Sequence, residues 1–407
     1  MRKPFFALLI PALLSVSGCT TVSNWFADEE ELAIRTLKPI NAEFEPRVLW
    51  QRDVGDGVDN YFSRLQPAVA YGRVYAADRH GRVMAVNPQD GDVIWQKNFA
   101  LYSDGGVLSS LWSDGESAKI AGGLTTAYNN LYFGTENGDV FALDAATGER
   151  KWHAEVKGEV LASPAIDGEV VVVNTTSGTL YGLNALTGEQ LWLMESDVPP
   201  LTLRGISAPA AANGGAIVGT ETGRLRVSIL ESGQTAWESP VTSPSGATEL
   251  ERIVDVDSKP LVFAGTVYIV SFNGSLAAVE LRSGRVLWNR EYRSYRNVSL
   301  DNNRLFVVDT NSNIFGLDRR NGVELWSNSS LKGRTVTSAT PVGEYVVVGD
   351  NFGYLHWLRQ DDGQVVARLA VGDDDEDEAI FTGPVVNGNT VYTQTRDGKL
   401  VAIDTPN

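Results

Sequence analysis

The chain has 407 residues, 43% hydrophobic and 9% aromatic, an ordinary balance for a globular protein. Its formal charge of −17 provides no basic groove for phosphates and excludes nucleic acid as a partner. Its 40 glycines suit a chain with many tight turns.

At the N-terminus, Arg2 and Lys3 precede an apolar run from Pro4 to Val16, followed by "VSGC" at Val16–Cys19. The run is too short to span a bilayer and reads as a secretory signal. Cys19 is the only cysteine, so no intramolecular disulfide is possible. A lone Cys after a small-residue cleavage site resembles the bacterial lipobox. That resemblance implies lipidation of Cys19 (palmitate among the chains), and acyl chains anchor at roughly 0.8 kcal/mol per buried CH₂. Thr20 rather than Asp after the cysteine implies the outer membrane, on its periplasmic face. Removing residues 1–18 takes away two of the 34 bases and none of the 51 acids, giving 32 − 51 = −19. The expected division is a signal peptide over 1–18, a lipidated tether over 19–44 and a folded domain over 45–407.

From there the chain repeats itself. "LDAATGERKW" at Leu143–Trp152 returns as "LNALTGEQLW" at Leu183–Trp192. A Gly, a second Gly ten residues on and a Trp four further recur at Gly81/Gly91/Trp95, Gly138/Gly148/Trp152, Gly178/Gly188/Trp192, Gly223/Gly233/Trp237 and Gly274/Gly284/Trp288. A sixth copy has Ser312 in place of the first Gly, then Gly322 and Trp326. A seventh has Gly353 and Gly363 but Ala367 for the Trp, and an eighth reaches Gly398 before the chain ends. The missing last strand is found at "EPRVLWQRDV", Glu45–Val54, with Trp50 in place.

Each copy reads as four short strands. In the third these are Ala162–Asp167, Glu169–Thr175, Gly178–Asn184 and Gly188–Met194, β-branched within and Gly/Asn/Ser-rich between. Repeats of 38–57 residues with four strands each mean propeller blades. The expected fold is all-β: an eight-bladed β-propeller of four-stranded antiparallel blades closed by the N-terminal strand, which leaves no free sheet edge at the seam. Trp50, Trp95, Trp152, Trp192, Trp237, Trp288 and Trp326 are expected to be structural anchors between blades. The pattern resembles the PQQ-like repeat and not WD40, since no Asp follows these tryptophans.

Quinoprotein dehydrogenases of the PQQ family use a vicinal disulfide, a Ca²⁺ and a catalytic Asp. A single cysteine and a short chain argue against that chemistry, and no cofactor is expected. The chain has no Gly-x-Ser-x-Gly elbow. His80, His153 and His356 fall at non-equivalent places in three blades and read as surface residues. "DTNSN" at Asp309–Asn313 fails as a calcium loop, because Ile314 and Arg320 stand where Gly and Glu are needed. The acidic run Asp373–Glu378 reads as a solvated loop. No catalytic or metal-binding set is expected, and the chain is not expected to be an enzyme.

Binding is then the default for a propeller, and its loops carry specificity. The third-to-fourth-strand turns are short and uniform. The inter-blade connections vary, with long ones at 100–123, 195–206, 239–260 and 371–380, so one face of the disc is plain and the other decorated. Two of these loops flank the fourth blade. "SDVPPLTLRGIS" (Ser196–Ser207) places Leu201 and Leu203 beside Arg204, the composition of an interface hot spot. "GATELERIVDVDSKP" (Gly246–Pro260) carries Asp255 and Asp257, which hold Arg204 or meet a basic partner.

The lipobox, the blades, "LTLRG", "DVDSKP" and "GYLHW" (Gly353–Trp357) together resemble the BamB family, lipoproteins of the outer-membrane β-barrel assembly (BAM) machine. The likeness covers the whole mature chain. It implies a scaffold without chemistry of its own, docked on the periplasmic POTRA domains of BamA, chiefly the third. Other BAM lipoproteins and unfolded outer-membrane proteins are further implied partners. By matching motif, the docking residues are Leu201, Leu203, Arg204, Asp255 and Asp257. The acidic run is outside that pattern. Two other classes remain: a PQQ-dependent dehydrogenase, and a polysaccharide-binding propeller using off-pattern aromatics such as Trp112 or Trp25.

Overall fold

The computed structural model describes residues 33–100, 116–196, 198–199, 205–242, 254–372 and 378–406. Residues 1–37 and 38–407 are separate compact units, and the described part of the first holds one helical turn at 33–35. Among the described residues no helix is long and apolar enough to cross a membrane.

The second unit consists of eight four-stranded antiparallel sheets. Seven are consecutive in the chain and form blades 1 to 7: residues 68–98, 125–155, 165–195, 210–240, 261–290, 299–328 and 340–370. The eighth combines Val385–Asn387, Thr390–Gln394 and Lys399–Asp404 with the N-terminal strand Arg47–Asp53, which pairs antiparallel to Lys399–Asp404. The disc therefore closes with strands from both ends of the chain, and the seam costs no unpaired ladder.

Within a blade the order of pairing follows the chain. In blade 3, Ala165–Asp167, Val170–Asn174, Thr179–Asn184 and Gln190–Glu195 pair in turn. The first strand starts three residues later than the sequence pattern suggests. Pro164 has no N–H for a ladder, and its carbonyl instead accepts the Thr125 hydroxyl at 2.8 Å, so the segment before Ala165 becomes the connection into the blade. First strands of neighbouring blades approach one another and so surround the axis. The core lies between blades. One cluster joins Tyr132, Val140 and Trp152 of blade 2 to Val171, Val173 and Leu183 of blade 3.

The duplicated ten-residue stretch is the device that joins blades. Asp144 accepts the N–H groups of Ala146 and Thr147 at 2.9 and 3.1 Å, and Asn184 accepts those of Leu186 and Thr187 at the same distances. This Asx turn sets up a glycine at positive φ, +70° at Gly148 and +77° at Gly188. The glycine lies flat against the Trp of the preceding blade. A Cβ on Gly188 would be 2.7 Å from the Trp152 ring, and a Cβ on any such glycine from Gly91 to Gly363 would fall 2.3–2.8 Å from the previous tryptophan. Each indole N–H then donates to a carbonyl of the next blade at 2.7–3.1 Å: Trp50 to Pro88, Trp95 to Ala145, Trp152 to Ala185, Trp192 to Leu230, Trp237 to Leu281, Trp288 to Arg319 and Trp326 to Gln360. Ring packing and one satisfied donor per interface are what a buried tryptophan needs.

Blade 7 solves the same problem differently. Elsewhere the residue opposite the Trp on the third strand is small: Ala85, Ala142, Gly182, Val227, Ala278, Gly316 and Ala402. In blade 7 the pair is reversed, with Trp357 on the third strand opposite Ala367 on the fourth. Trp357 is fully buried and donates to the Thr405 hydroxyl at 3.0 Å, Thr405 being the counterpart of Ala145. Phe44 packs edge-on against Trp357, with centroids 6.2 Å apart.

Candidate functional site: the decorated face

In a four-stranded meander, second-to-third-strand turns and blade-to-blade connections share one face. Hydrogen bonds within six of the blades place both on that face. Phe99, Val156, Ser196, Val241, Tyr292 and Val371, each leaving a blade, donate backbone N–H groups to Gly81, Gly138, Gly178, Gly223, Gly274 and Gly353 at 2.8–3.1 Å. On the opposite face the third-to-fourth-strand turns bond to the first-to-second-strand turns, as where Ala145 donates to Asn129 and Ala185 to Glu169. All four long connections therefore emerge on the same side.

The docking residues expected from sequence divide into two sets. Leu201, Leu203 and Arg204 lie outside the described residues, as do Cys19, Trp25 and Trp112. Asp255 and Asp257 are described and are buried, at 1% and 3% exposure. They alternate with Val254 and Val256, also buried, in a segment pressed against the top of blades 4 and 5. Their carboxylates do not face solvent.

What holds that segment was not legible in any motif. The connection from the closing strand into blade 1 passes over the mouth of the axis, and Arg64 reaches from it to both loops that flank blade 4. Its Nη1 donates to the carbonyl oxygens of Ile206 and Asp257, each at 2.7 Å. A second link runs underneath: Ser207 Oγ donates to the Ser258 carbonyl at 2.9 Å, and Ser258 Oγ to the Val270 carbonyl at 2.7 Å. Between the two loops, a Cβ on Gly205 would be 2.9 Å from Asp257 Oδ2 and 3.4 Å from Arg64 Nη2, so only glycine admits the carboxylate this close. The described segments Gly205–Ser207 and Val254–Ser258 are thus one locked platform.

The electrostatics follow from burial. Burial pushes the Asp257 carboxyl up, and Arg64 counters it. Burial likewise pushes Glu221 up, with the nearby Asp257 charge adding to the effect. Arg64 itself is lowered by burial, partly offset by Asp257. Arg64 thus opposes the shift at Asp257, while Arg226 opposes the one at Glu221.

The histidines differ from expectation in one case. His80 is half-buried, and His153 is partly exposed and bonded to Asp139 at 2.7 Å. His356, read as a surface residue, is completely buried. Its Nε2 is 2.8 Å from Asp350 Oδ2, which also accepts from Arg334 Nε at 2.5 Å, and Arg368 Nε lies 3.2 Å from its Nδ1. The correction has a simple cause: strand pairing places His356 between Val348 and Arg368 and brings its partners from other segments. Asp309, the start of the failed calcium loop, spends its carboxylate on Asn311 and Asn313 of its own turn. Of the acidic run, 373–377 lies outside the described residues, while Glu378 pairs with Lys399 at 2.7 Å. Among the described residues, Asp139, His153 and Glu155 offer ligand atoms within 4.8 Å of one another and could hold a metal ion.

Comparison with known proteins decides the family. The profile of the family described as "Outer membrane protein assembly factor BamB" matches residues 42–106, 103–328 and 327–407. The chain belongs to the BamB family. It is 60% identical to the outer membrane protein assembly factor BamB of Alteromonas naphthalenivorans over 411 aligned residues, covering 99% of this chain and 98% of that one. Its structure is similar to the crystal structure of BamB from Moraxella catarrhalis, with a TM-score of 0.76, 26% identity and coverage of 88% of this chain and all of the other. The quinohemoprotein alcohol dehydrogenase of Comamonas testosteroni is also similar, with a TM-score of 0.66 over 88% of this chain and 76% of that one. At 12% identity that likeness is one of fold alone. The PQQ-like repeats of this family member serve a scaffold propeller rather than an enzyme.

Proposed function

We propose that the protein is a lipid-anchored scaffold on the periplasmic face of the outer membrane. It docks through the blade-4 platform onto the POTRA domains of BamA and aids folding and insertion of outer-membrane proteins. Membership of the BamB family supports the assembly role. The observation that carries the docking surface is the joint fixing of Ile206 and Asp257 by Arg64, which gives the Leu201–Arg204 segment a rigid base. Pre-organised loops lose less entropy on binding. In this reading Leu201, Leu203 and Arg204 make the contact, while Asp255 and Asp257, being buried, support them from beneath. Lipidation at Cys19 supplies the anchor, and other BAM lipoproteins are expected neighbours in the complex.

The test is binding of residues 20–407 to a purified BamA POTRA fragment, with Leu203→Ala and Arg204→Ala alongside and folding checked by circular dichroism. The folded variants should lose on the order of 2 kcal/mol or more. If parent and variants bind equally, the docking face is elsewhere; if the parent does not bind, the partner is wrong.

A further inference from the structure

The mouth of the axis holds a second feature, which shares Arg64 with the blade-4 platform. A cavity of about 250 Å³ opens between the connection into blade 1 and the connections entering blades 6, 7 and 8. Among the described residues that line it there are three arginines, Arg64, Arg296 and Arg396, and no Asp or Glu. In a chain of formal charge −17 that local balance is the reverse of the average.

Each arginine is stacked on an aromatic ring of the same wall: Arg64 over Phe62 at 5.8 Å, Arg296 over Tyr295 at 4.6 Å and Arg396 over Phe381 at 5.7 Å. Backbone carbonyls fix their positions. Arg296 Nη1 donates to the Asp309 carbonyl and Arg396 Nη1 to the Asp59 carbonyl, both at 2.7 Å, as Arg64 does to Ile206 and Asp257. For Arg64 and Arg296 these bonds hold the guanidinium in place without neutralising it. Burial lowers the pKa of both, opposed by the Asp257 charge for Arg64 and by Tyr295 and Asp309 for Arg296, so desolvated cations wait there at a cost an incoming anion would relieve. The rest of the wall mixes apolar side chains, including Ile380 and Val336, with uncharged hydrogen-bonding ones such as Gln66, Asn297, Thr337 and Thr382.

From this combination of fixed guanidinium groups, stacked rings and a described lining without Asp or Glu, we infer that the cavity is a binding site for an aromatic carboxylate. The ring would lie among the aromatic side chains and the acid group between Arg296 and Arg396. Size agrees: roughly 150 Å³ of dry cavity holds a benzene, so about 250 Å³ takes one ring with its acid. Arginine's planar fork suits a carboxylate better than a point charge would. Two sources present this chemistry, the C-terminal aromatic residue of a peptide and a free aromatic acid.

The experiment uses folded residues 20–407 and calorimetric titration with N-acetylphenylalanine, its neutral amide and a short peptide ending in phenylalanine with a free carboxyl. The acid should bind at least about tenfold more tightly than the amide, since charge-assisted pairing is lost in the latter. Arg296→Gln and Arg396→Gln should each weaken the acid by a similar factor and leave the amide unaffected. Tighter binding of the peptide than of the free acid assigns the site to chain termini, and the reverse assigns it to small molecules. Equal binding of acid and amide by the unaltered protein, or no binding of either acid or peptide, overturns the inference without reference to any variant. So does undiminished acid binding by both folded variants. Because Leu203 and Arg204 are untouched, POTRA binding is a separate readout that fails or succeeds on its own.

Discussion

Arg64→Met tests the proposition that the two loops flanking blade 4 are one mechanical unit. Methionine keeps much of the apolar stem and removes the guanidinium. Two hydrogen bonds of 2.7 Å from a charged donor are lost, and the carbonyls of Ile206 and Asp257 lose their shared donor. Bonds to charged groups contribute roughly 1.5–3 kcal/mol each. The Asp257 carboxylate, 3% exposed, also loses the cation that offsets its burial. Two such bonds set the expected cost at roughly 3–6 kcal/mol. Urea denaturation of residues 20–407 followed by tryptophan fluorescence measures it. Asp257→Asn in the Arg64→Met background should recover at least about 1 kcal/mol, because the uncompensated charge is gone. Affinity for the POTRA fragment should fall about tenfold in Arg64→Met even where the protein is fully folded, since the platform is loosened rather than the contact side chains removed. A cost below about 1 kcal/mol, or purely additive losses in the double variant, would refute the reasoning about Arg64. Lower stability with unchanged POTRA binding would separate the staple from docking.

Gly188→Ala should cost about 2–4 kcal/mol, combining a positive φ with a Cβ pressed into Trp152. Gly168→Ala, at φ +55° with nothing within 4 Å, should cost only the backbone part of roughly 1–2 kcal/mol, and the difference in urea midpoint isolates the packing term. Trp357→Ala should destabilise by about 3–5 kcal/mol, comparable to a fully buried aromatic in any core, with Ala367→Trp in the same chain recovering part of it; no recovery would show that the reversed pair is not interchangeable. Acid should loosen blade 7. His356 is lowered, first by burial, and Asp350 is lowered because bonds and charges from His356 and Arg334 outweigh its burial. Both shifts mean that the unfolded chain takes up more protons. Their stabilisation is complete above the unfolded His value of 6.5 and is lost as pH falls, by no more than about 1.4 kcal/mol per pH unit for one proton. Arg334, Arg368 and Tyr354 also face this site, so the check is the pH slope of urea stability between neutral and mildly acidic buffer in parent and His356→Gln. An unchanged slope would remove His356 as its source.

What could be read from the sequence was what recurs. The Gly–Trp device repeats because each blade meets its neighbour in one geometry, and a glycine that must accept an indole against its Cα leaves no alternative residue. The blade count and the closing strand follow from that spacing alone. What could not be read is non-periodic. Arg64 is 142 and 193 residues from its acceptors and carries no motif. The buried state of Asp255 and Asp257 did leave a trace, in the alternating Val254 and Val256, but two aspartates in a loop read more readily as solvated. The seam sharpens the point. Counting tryptophans at a fixed spacing makes blade 7 appear to lack its anchor. Pairing its third and fourth strands shows that the anchor has crossed the ladder to Trp357, opposite Ala367, while Thr405 and Phe44 take the places of a turn the chain never makes. A propeller interface conserves filled volume and one satisfied indole N–H, not the strand that provides them. A one-dimensional pattern detects the interface only where strand and residue coincide.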